Sequence, residues 1–130
     1  MLTLQLATHA NVPTYVQIVQ QVRQALLAGV LRPGDRLPTV KDVVAELAIN
    51  PNTVLKAYRE LEREGLVEAR QGVGTFALRR PDGPPPATQL ALGRSLARWV
   101  VKARAAGFDD AGIESLVRST LLSASDEAIA

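Results

Sequence analysis

The stretch that decides the fold is Asn50-Pro51-Asn52-Thr53-Val54-Leu55-Lys56-Ala57-Tyr58-Arg59-Glu60-Leu61-Glu62-Arg63-Glu64-Gly65. Asn50 is suited to cap a helix, and Pro51 sits at the first helical position, where its missing N–H costs nothing. Val54, Ala57, Tyr58 and Leu61 follow at i, i+3, i+4 and i+7, a complete apolar stripe. Gly65 closes the helix. At about 100° per residue, Asn52, Lys56, Arg59 and Arg63 fall in one sector opposite the stripe.

Upstream, Thr39 caps a second helix with Asp42 three residues on, a near match to the capping box. Val40, Val43, Val44 and Leu47 supply its apolar side, and it ends near Ala48. Only about three residues then separate it from the next helix, the connection of a helix-turn-helix. Before it, Pro13 opens a helix carrying Tyr15, Ile18, Val19, Val22, Leu26 and Leu27 on one face, with Gly29 as its left-handed cap. Arg32-Pro33-Gly34-Asp35 has the residues of a type II turn. Leu2, Leu4 and Leu6 alternate with polar residues and predict a short strand.

Downstream, Leu66-Val67-Glu68-Ala69 and Thr75-Phe76-Ala77-Leu78 read as two strands joined by Gln71-Gly72-Val73-Gly74. Three helices followed by a hairpin is the order of a winged helix. Arg80-Pro81-Asp82-Gly83-Pro84-Pro85-Pro86 then has the composition of an extended, stiff linker. Beyond it, Leu92, Leu96, Trp99 and Ala103 line one side of a helix over roughly 88–106, ended by Gly107. Asp109 caps a last helix with Phe108 and Ile113 at hydrophobic-staple positions. Ile113, Leu116, Val117 and Thr120 form its apolar face, and fraying is expected from about Ser123.

The expected architecture is mostly α with a small β-hairpin wing. Residues 1–79 form a winged helix-turn-helix, 80–87 a proline-rich linker, and 88–130 a two-helix dimerisation tail.

Composition narrows the chemistry. The 130 residues are 47% hydrophobic and 22% charged, the balance of a soluble globular protein. There is no Cys and a single His, His9, so neither disulfides nor a transition-metal site is expected. Met1–Leu6 lacks a basic region, and no apolar run reaches the ~20 residues that span a bilayer, which predicts a soluble cytoplasmic protein. The net charge of +2 is unevenly divided: residues 1–80 hold ten Lys/Arg against seven Asp/Glu, and residues 81–130 five against six.

That basic bias is compatible with nucleic acid, and the arrangement of the charges on the third helix carries the argument. Lys and Arg neutralise phosphates or read guanine, and Asn can pair bidentately with adenine. A charged free face is usually mere solvation, and Glu60, Glu62 and Glu64 support that reading. The preceding turn and the following hairpin favour DNA contact instead. Arg70 and Gln71 flank the wing glycines, which let backbone approach a groove closely. Lys41, near the start of the second helix, is suited to a phosphate.

Leu31-Arg32-Pro33-Gly34-Asp35-Arg36-Leu37-Pro38, then Ile49 through Val54, Ala57 through Leu66, and Gln71-Gly72-Val73-Gly74-Thr75-Phe76 resemble the GntR family of bacterial regulators. The match is collinear over about residues 13–78. The Asn-Pro-Asn-Thr-Val run and the short tail are most similar to the YtrA-like subfamily, whose members often sit beside genes for ABC transporters. The resemblance implies a dimeric winged-helix reader, with roles for Lys41, Asn50, Asn52, Thr53, Lys56 and Gly72. Many relatives carry arginine at the position of Lys41 and near those of Pro51 and Leu55, so base reading by those arginines does not carry over.

The tail is too short for the large ligand-binding domain of most relatives, and two helices cannot enclose a typical small-molecule pocket unless a second chain contributes walls. Leu92, Leu96, Trp99, Ile113, Leu116 and Val117 are therefore expected to face a second copy. No cofactor is implied, and no effector can be named. No phosphate-binding loop, metal-protease helix or nucleophile motif is present, so catalysis is not expected. The sequence predicts a DNA-binding regulator, read as a repressor, acting as a homodimer on a roughly palindromic double-stranded site. The alternative is a winged helix used only to bind protein; an apolar free face on the third helix would favour it, and only Leu55, at the flank, leans that way.

Overall fold

The computed structural model describes residues 2–7 and 11–129; His9 lies outside the described residues. The chain divides into two compact units, residues 1–90 and 91–130.

In the first unit, α1 (Thr14–Leu27), α2 (Val40–Leu47) and α3 (Pro51–Arg63) precede the antiparallel strands β1 (Val67–Arg70) and β2 (Gly74–Ala77). Each boundary has a visible cause. Thr39 Oγ1 accepts the Asp42 N–H at 3.1 Å, and Asn50 Oδ1 accepts the Asn52 N–H at 2.8 Å. At the end of α3, Gly65 has φ 76° and donates to Glu62 O, while Leu66 donates to Leu61 O. This is a Schellman ending, available because glycine enters the left-handed region at no steric cost. Asp35 donates to Arg32 O with Gly34 at φ 93°, the expected type II turn.

The apolar faces of the three helices meet in one core. Ile18, Val22 and Leu26 of α1, Val43 of α2, and Val54, Ala57, Tyr58 and Leu61 of α3 are buried together with Leu31, Leu37, Leu66, Val67 and Ala77. All four stripe residues of α3 are thus inside.

The expected strand over Leu2–Leu6 is not formed. Residues 2–7 lie outside any sheet; Leu4 is buried against the core, and glutamines of α1 bond the backbone at two positions. Gln21 bonds both the N–H and the carbonyl of Gln5, and Gln17 does the same for Ala7. Two side chains four residues apart on one helix face replace a partner strand.

A third pairing lies outside the two predicted strands. Asp35–Leu37 runs along β2: Arg36 bridges Phe76, the Ala77 N–H donates to Asp35 O at 2.7 Å, and Leu37 N–H donates to Thr75 O at 2.8 Å. Three residues are too few to show a period of two.

The expected linker is bent where a stiff extended segment was predicted. Arg80 donates to the carbonyls of Leu27, Gly83 and Pro84, pulling Asp82–Pro84 into a bend against the end of α1. Helix α4 (Pro86–Ala105) then begins at the last of the three prolines, which suits a first helical position. Gln89 in its first turn donates to Gln24 of α1 at 2.8 Å.

The second unit holds the rest of α4 and α5 (Asp110–Ile129). Gly107, at φ 104°, ends α4, with Phe108 N–H returning to Ala103 O. Asp109 Oδ1 accepts the Gly112 N–H at 2.8 Å, the expected cap. Fraying from Ser123 is not seen, since α5 continues to Ile129. Among the described residues, only Ala103 and Ile113 of this unit are buried. Leu92 and Leu96 are 62% and 56% exposed. A groove of about 400 Å3 is lined by Leu96, Trp99, Leu116, Val117, Thr120 and Leu121.

Candidate nucleic-acid interface

The free face of α3 is positioned by its buried one. With Val54, Ala57, Tyr58 and Leu61 fixed in the core, Asn52, Lys56, Arg59 and Arg63 are exposed and Thr53 is half-buried. Asn50 is exposed, but its carboxamide oxygen is engaged in the cap, so its first role is to start the helix. Tyr58 locks the helix rotation further: its hydroxyl donates to Pro38 O at 2.6 Å. Burial, and then the nearby charge of Asp42, push that hydroxyl above the usual tyrosine range.

The cations differ in their freedom. The Lys56 ammonium stands 4.1 Å over the Tyr15 ring of α1, a cation–π contact that steadies it without neutralising it. The side chains of Arg59 and Lys41 have no acid partner among the described residues. Lys41 is the second residue of α2, where the helix dipole disfavours a cation. An anion from outside would relieve that cost. Arg63 is different: two hydrogen bonds tie its guanidinium to Glu60, holding the Glu60 carboxyl below its ordinary range. The Arg63 guanidinium is correspondingly held above its own ordinary range. Arg70 is also engaged, 4.3 Å over the Phe76 ring and 3.5 Å from Glu68.

The wing is held to α3 by Glu62, whose carboxylate accepts the Ala69 N–H at 2.9 Å. Arg79 donates to Glu64 O at 3.0 Å, and the Leu78 N–H to Leu66 O at 2.8 Å, closing the other strand's exit. Between helix and wing lies a cleft of about 180 Å3 whose lining includes Leu55, Tyr58, Arg59, Ala69 and Thr75. At the wing tip the Val73 N–H donates to Arg70 O at 3.0 Å, and Gly72 takes φ 74° between exposed Gln71 and Val73. The turn is type II, which needs glycine at its third position.

The sequence predicted Lys41, Asn50, Asn52, Thr53, Lys56, Arg59, Arg63, Arg70, Gln71 and Gly72. All lie on α2, the α3 start, the α3 free face or the wing turn of the same unit. Arg36 was overlooked. Its signal was only a basic residue beside a turn, and the Asp35–Leu37 edge that places it on the wing is a tertiary pairing.

Residues 14–77 match the family described as bacterial regulatory proteins, gntR family. The chain is 39% identical over 104 residues to the HTH-type transcriptional regulator Rv1152 of Mycobacterium tuberculosis, covering 80% of this chain and 82% of that one. The chain belongs to the GntR family. Within the family it is also 45% identical over 73 residues to the HTH-type transcriptional repressor YtrA of Bacillus subtilis, which supports the YtrA-like subfamily. That stretch spans 56% of each chain, so this GntR-family chain matches little more than half of that relative's length. Among solved structures it is similar to the AraR DNA-binding domain in complex with operator ORE1, with TM-score 0.50 and 25% identity, covering 58% of this chain and 92% of that one. The winged helix-turn-helix is therefore a fold that this GntR-family chain shares with its relatives. Among the described residues no helix is long and apolar enough to cross a membrane, and no group of His, Cys, Asp and Glu could hold a metal ion.

Proposed function

We propose that this chain is a sequence-specific, DNA-binding transcriptional repressor of the cytoplasm that acts as a homodimer without performing chemistry. The observation that carries the reading is the exposed row Asn52–Lys56–Arg59 on α3, opposite a fully buried stripe and joined through Glu62 to a glycine-tipped wing. A helix of that kind fits a major groove, where Lys and Arg take phosphates or guanine and Asn takes adenine. Lys41, Thr53, Arg63, Arg70, Gln71 and Gly72 complete the proposed interface, with Asn50 shaping the end that enters the groove. A relative named a repressor and a neighbour solved on its operator support this assignment.

The dimer is argued from the second unit. Leu92, Leu96, Trp99, Leu116 and Val117 leave an apolar surface on two helices that bury little between them. Such a surface in water favours association, and a second copy supplies the same chemistry in return. Ile113, expected on the same face, is instead buried within the chain. The working division is a reader over 1–79, a connection over 80–87 and a dimerising region over 88–130. Two readers so joined address a roughly palindromic site whose half-sites lie about one helical turn, or a multiple, apart.

Selection of bound sequences from a random duplex pool tests the function and the symmetry together. A recurrent inverted repeat is the expected product. Recovery of no enriched sequence would overturn specific binding. Lys56→Ala and Arg59→Ala should each weaken binding to the selected site by about 1–3 kcal/mol if they read bases, with little change in melting temperature. Unchanged affinity in both would remove the α3 face from the interface and favour a protein-binding role.

A further inference from the structure

The edge segment Asp35–Leu37 adds a cation to the wing that neither the helix nor the hairpin supplies. Arg36 bridges Phe76, and Phe76 is the register partner of Glu68. Residues directly paired across antiparallel strands share a face, so Arg36, Phe76 and Glu68 lie on one side of the wing. Arg70 and Gly74, paired with each other and two positions further along, lie on that side too. The opposite side carries Leu37, Val67 and Ala77, which are buried in the core. The Arg36 face is consequently the outer one, and Arg36 is exposed on it.

Its guanidinium does not hang free. It extends along the strand toward the wing tip and lies over Gly74, where a Cβ would stand 2.8 Å from Nε and 3.2 Å from Nη2. Gly74 has φ 146°, a conformation that excludes most side chains, so the seat stays open. Next to it the Arg70 guanidinium covers Phe76. Two guanidinium groups thus cover successive positions on one face of the strand, Gly74 and Phe76, and Glu68 answers only Arg70. Among the described residues no acid or carbonyl holds the Arg36 side chain. A planar, always-charged fork aimed at the tip of a wing, with no acid to balance it among the described residues, is matched by an external oxyanion.

We propose that Arg36 is a further DNA-contacting residue, which takes a backbone phosphate beside the groove entered by the wing. This rests on the DNA-binding reading above and adds to it a contact from outside the helix-turn-helix and hairpin loop. A phosphate contact positions the wing and carries no base preference of its own.

The test uses the full chain and a duplex selected by the wild-type protein from the random pool. Arg36→Ala should weaken binding to selected and scrambled duplexes alike, by about tenfold at ~0.1 M salt, and the slope of log K against log salt should flatten by about 0.9 for each phosphate lost. Arg36→Lys, which keeps the charge, should restore most of the slope. A variant that merely folds less well would lose apparent affinity with an unchanged slope, and that result would overturn the proposal. So would wild-type affinity and slope in Arg36→Ala, or a loss confined to one base-pair position, which would mean base reading. If the wild-type chain binds no duplex, the DNA-binding reading itself fails, before Arg36 is tested.

Discussion

The hydroxyl of Tyr58, in the middle of α3, donates a hydrogen bond to the carbonyl oxygen of Pro38, just before α2. One bond thereby fixes both the rotation of α3 and the entry to the helix that precedes it. Tyr58→Phe should leave the Pro38 carbonyl without this partner and cost about 1–2 kcal/mol in urea unfolding. The pH dependence has a definite sign. The folded state holds the hydroxyl proton more tightly than the unfolded chain does, because burial raises the Tyr58 value above 10.0. Its contribution is therefore complete below about pH 10 and declines as pH rises beyond it. The melting temperature of wild type should fall more steeply above that pH than that of Tyr58→Phe. Parallel alkaline limbs would contradict the assignment.

Ala48 ends α2 at φ 54°, the only non-glycine residue with positive φ among the described residues. A side chain in the left-handed region costs about 1–2 kcal/mol, partly offset in a glycine variant by the greater freedom of its unfolded chain. Ala48→Gly should stabilise the protein by roughly 0.5–1 kcal/mol. A fall in the urea midpoint would show that the exposed methyl makes contacts worth more than the strain.

Arg23 of α1 pairs with Glu64 at the end of α3, and the second carboxylate oxygen, Glu64 Oε2, is buried without a partner. Removing the cation strands the more buried of the two charges, whereas neutralising the acid leaves the more exposed Arg23, which also feels the charge of Glu60. Arg23→Met should therefore destabilise more than Glu64→Gln, by about 1 kcal/mol given the partial exposure of both groups. Equal losses in chemical denaturation would mean that solvent already screens the pair.

Arg63 shares the free face of α3 with Arg59 but is neutralised by Glu60. Arg59→Ala should weaken binding to a selected duplex more than Arg63→Ala does, measured by anisotropy at constant salt. Glu60→Gln should tighten binding and steepen the salt dependence by up to about one unit, as a further cation becomes available to phosphate. A larger effect from Arg63 would reverse this ranking.

In the second unit, Leu96 and Trp99 share a groove with Leu116 and Val117. If a second copy covers it, the wild-type chain should sediment at twice its 13.9 kDa mass at micromolar concentration. Leu96→Glu should shift it toward monomer by more than tenfold in Kd, because a charge then enters an apolar contact. A wild-type monomer, or an unchanged Leu96→Glu dimer, would move the interface elsewhere.

Much of this protein was determined locally, and those parts were legible along the chain. Asn50, Pro51 and Gly65 mark the ends of α3 because capping depends on neighbouring residues alone. The stripe from Val54 to Leu61 names the buried face, and hence the free one, because helical periodicity is a property of spacing. The family motifs follow the same local order. The tertiary structure decided what depends on residues far apart in the chain. Leu2–Leu6 has the alternation of a strand, but side chains of α1 take its place as partner, Gln21 at Gln5 and Gln17 at Ala7 just beyond it, and no sheet forms. Pro81–Pro85 has the composition of a stiff rod, but Arg80 reaches the open carbonyl end of α1 and bends it. Arg36 reads as one more surface arginine until β2 pairs beside it and Gly74 makes room. Which cations remain free is settled the same way, since a charge pattern gives the number of arginines on a face, while only packing determines which of them already holds an acid.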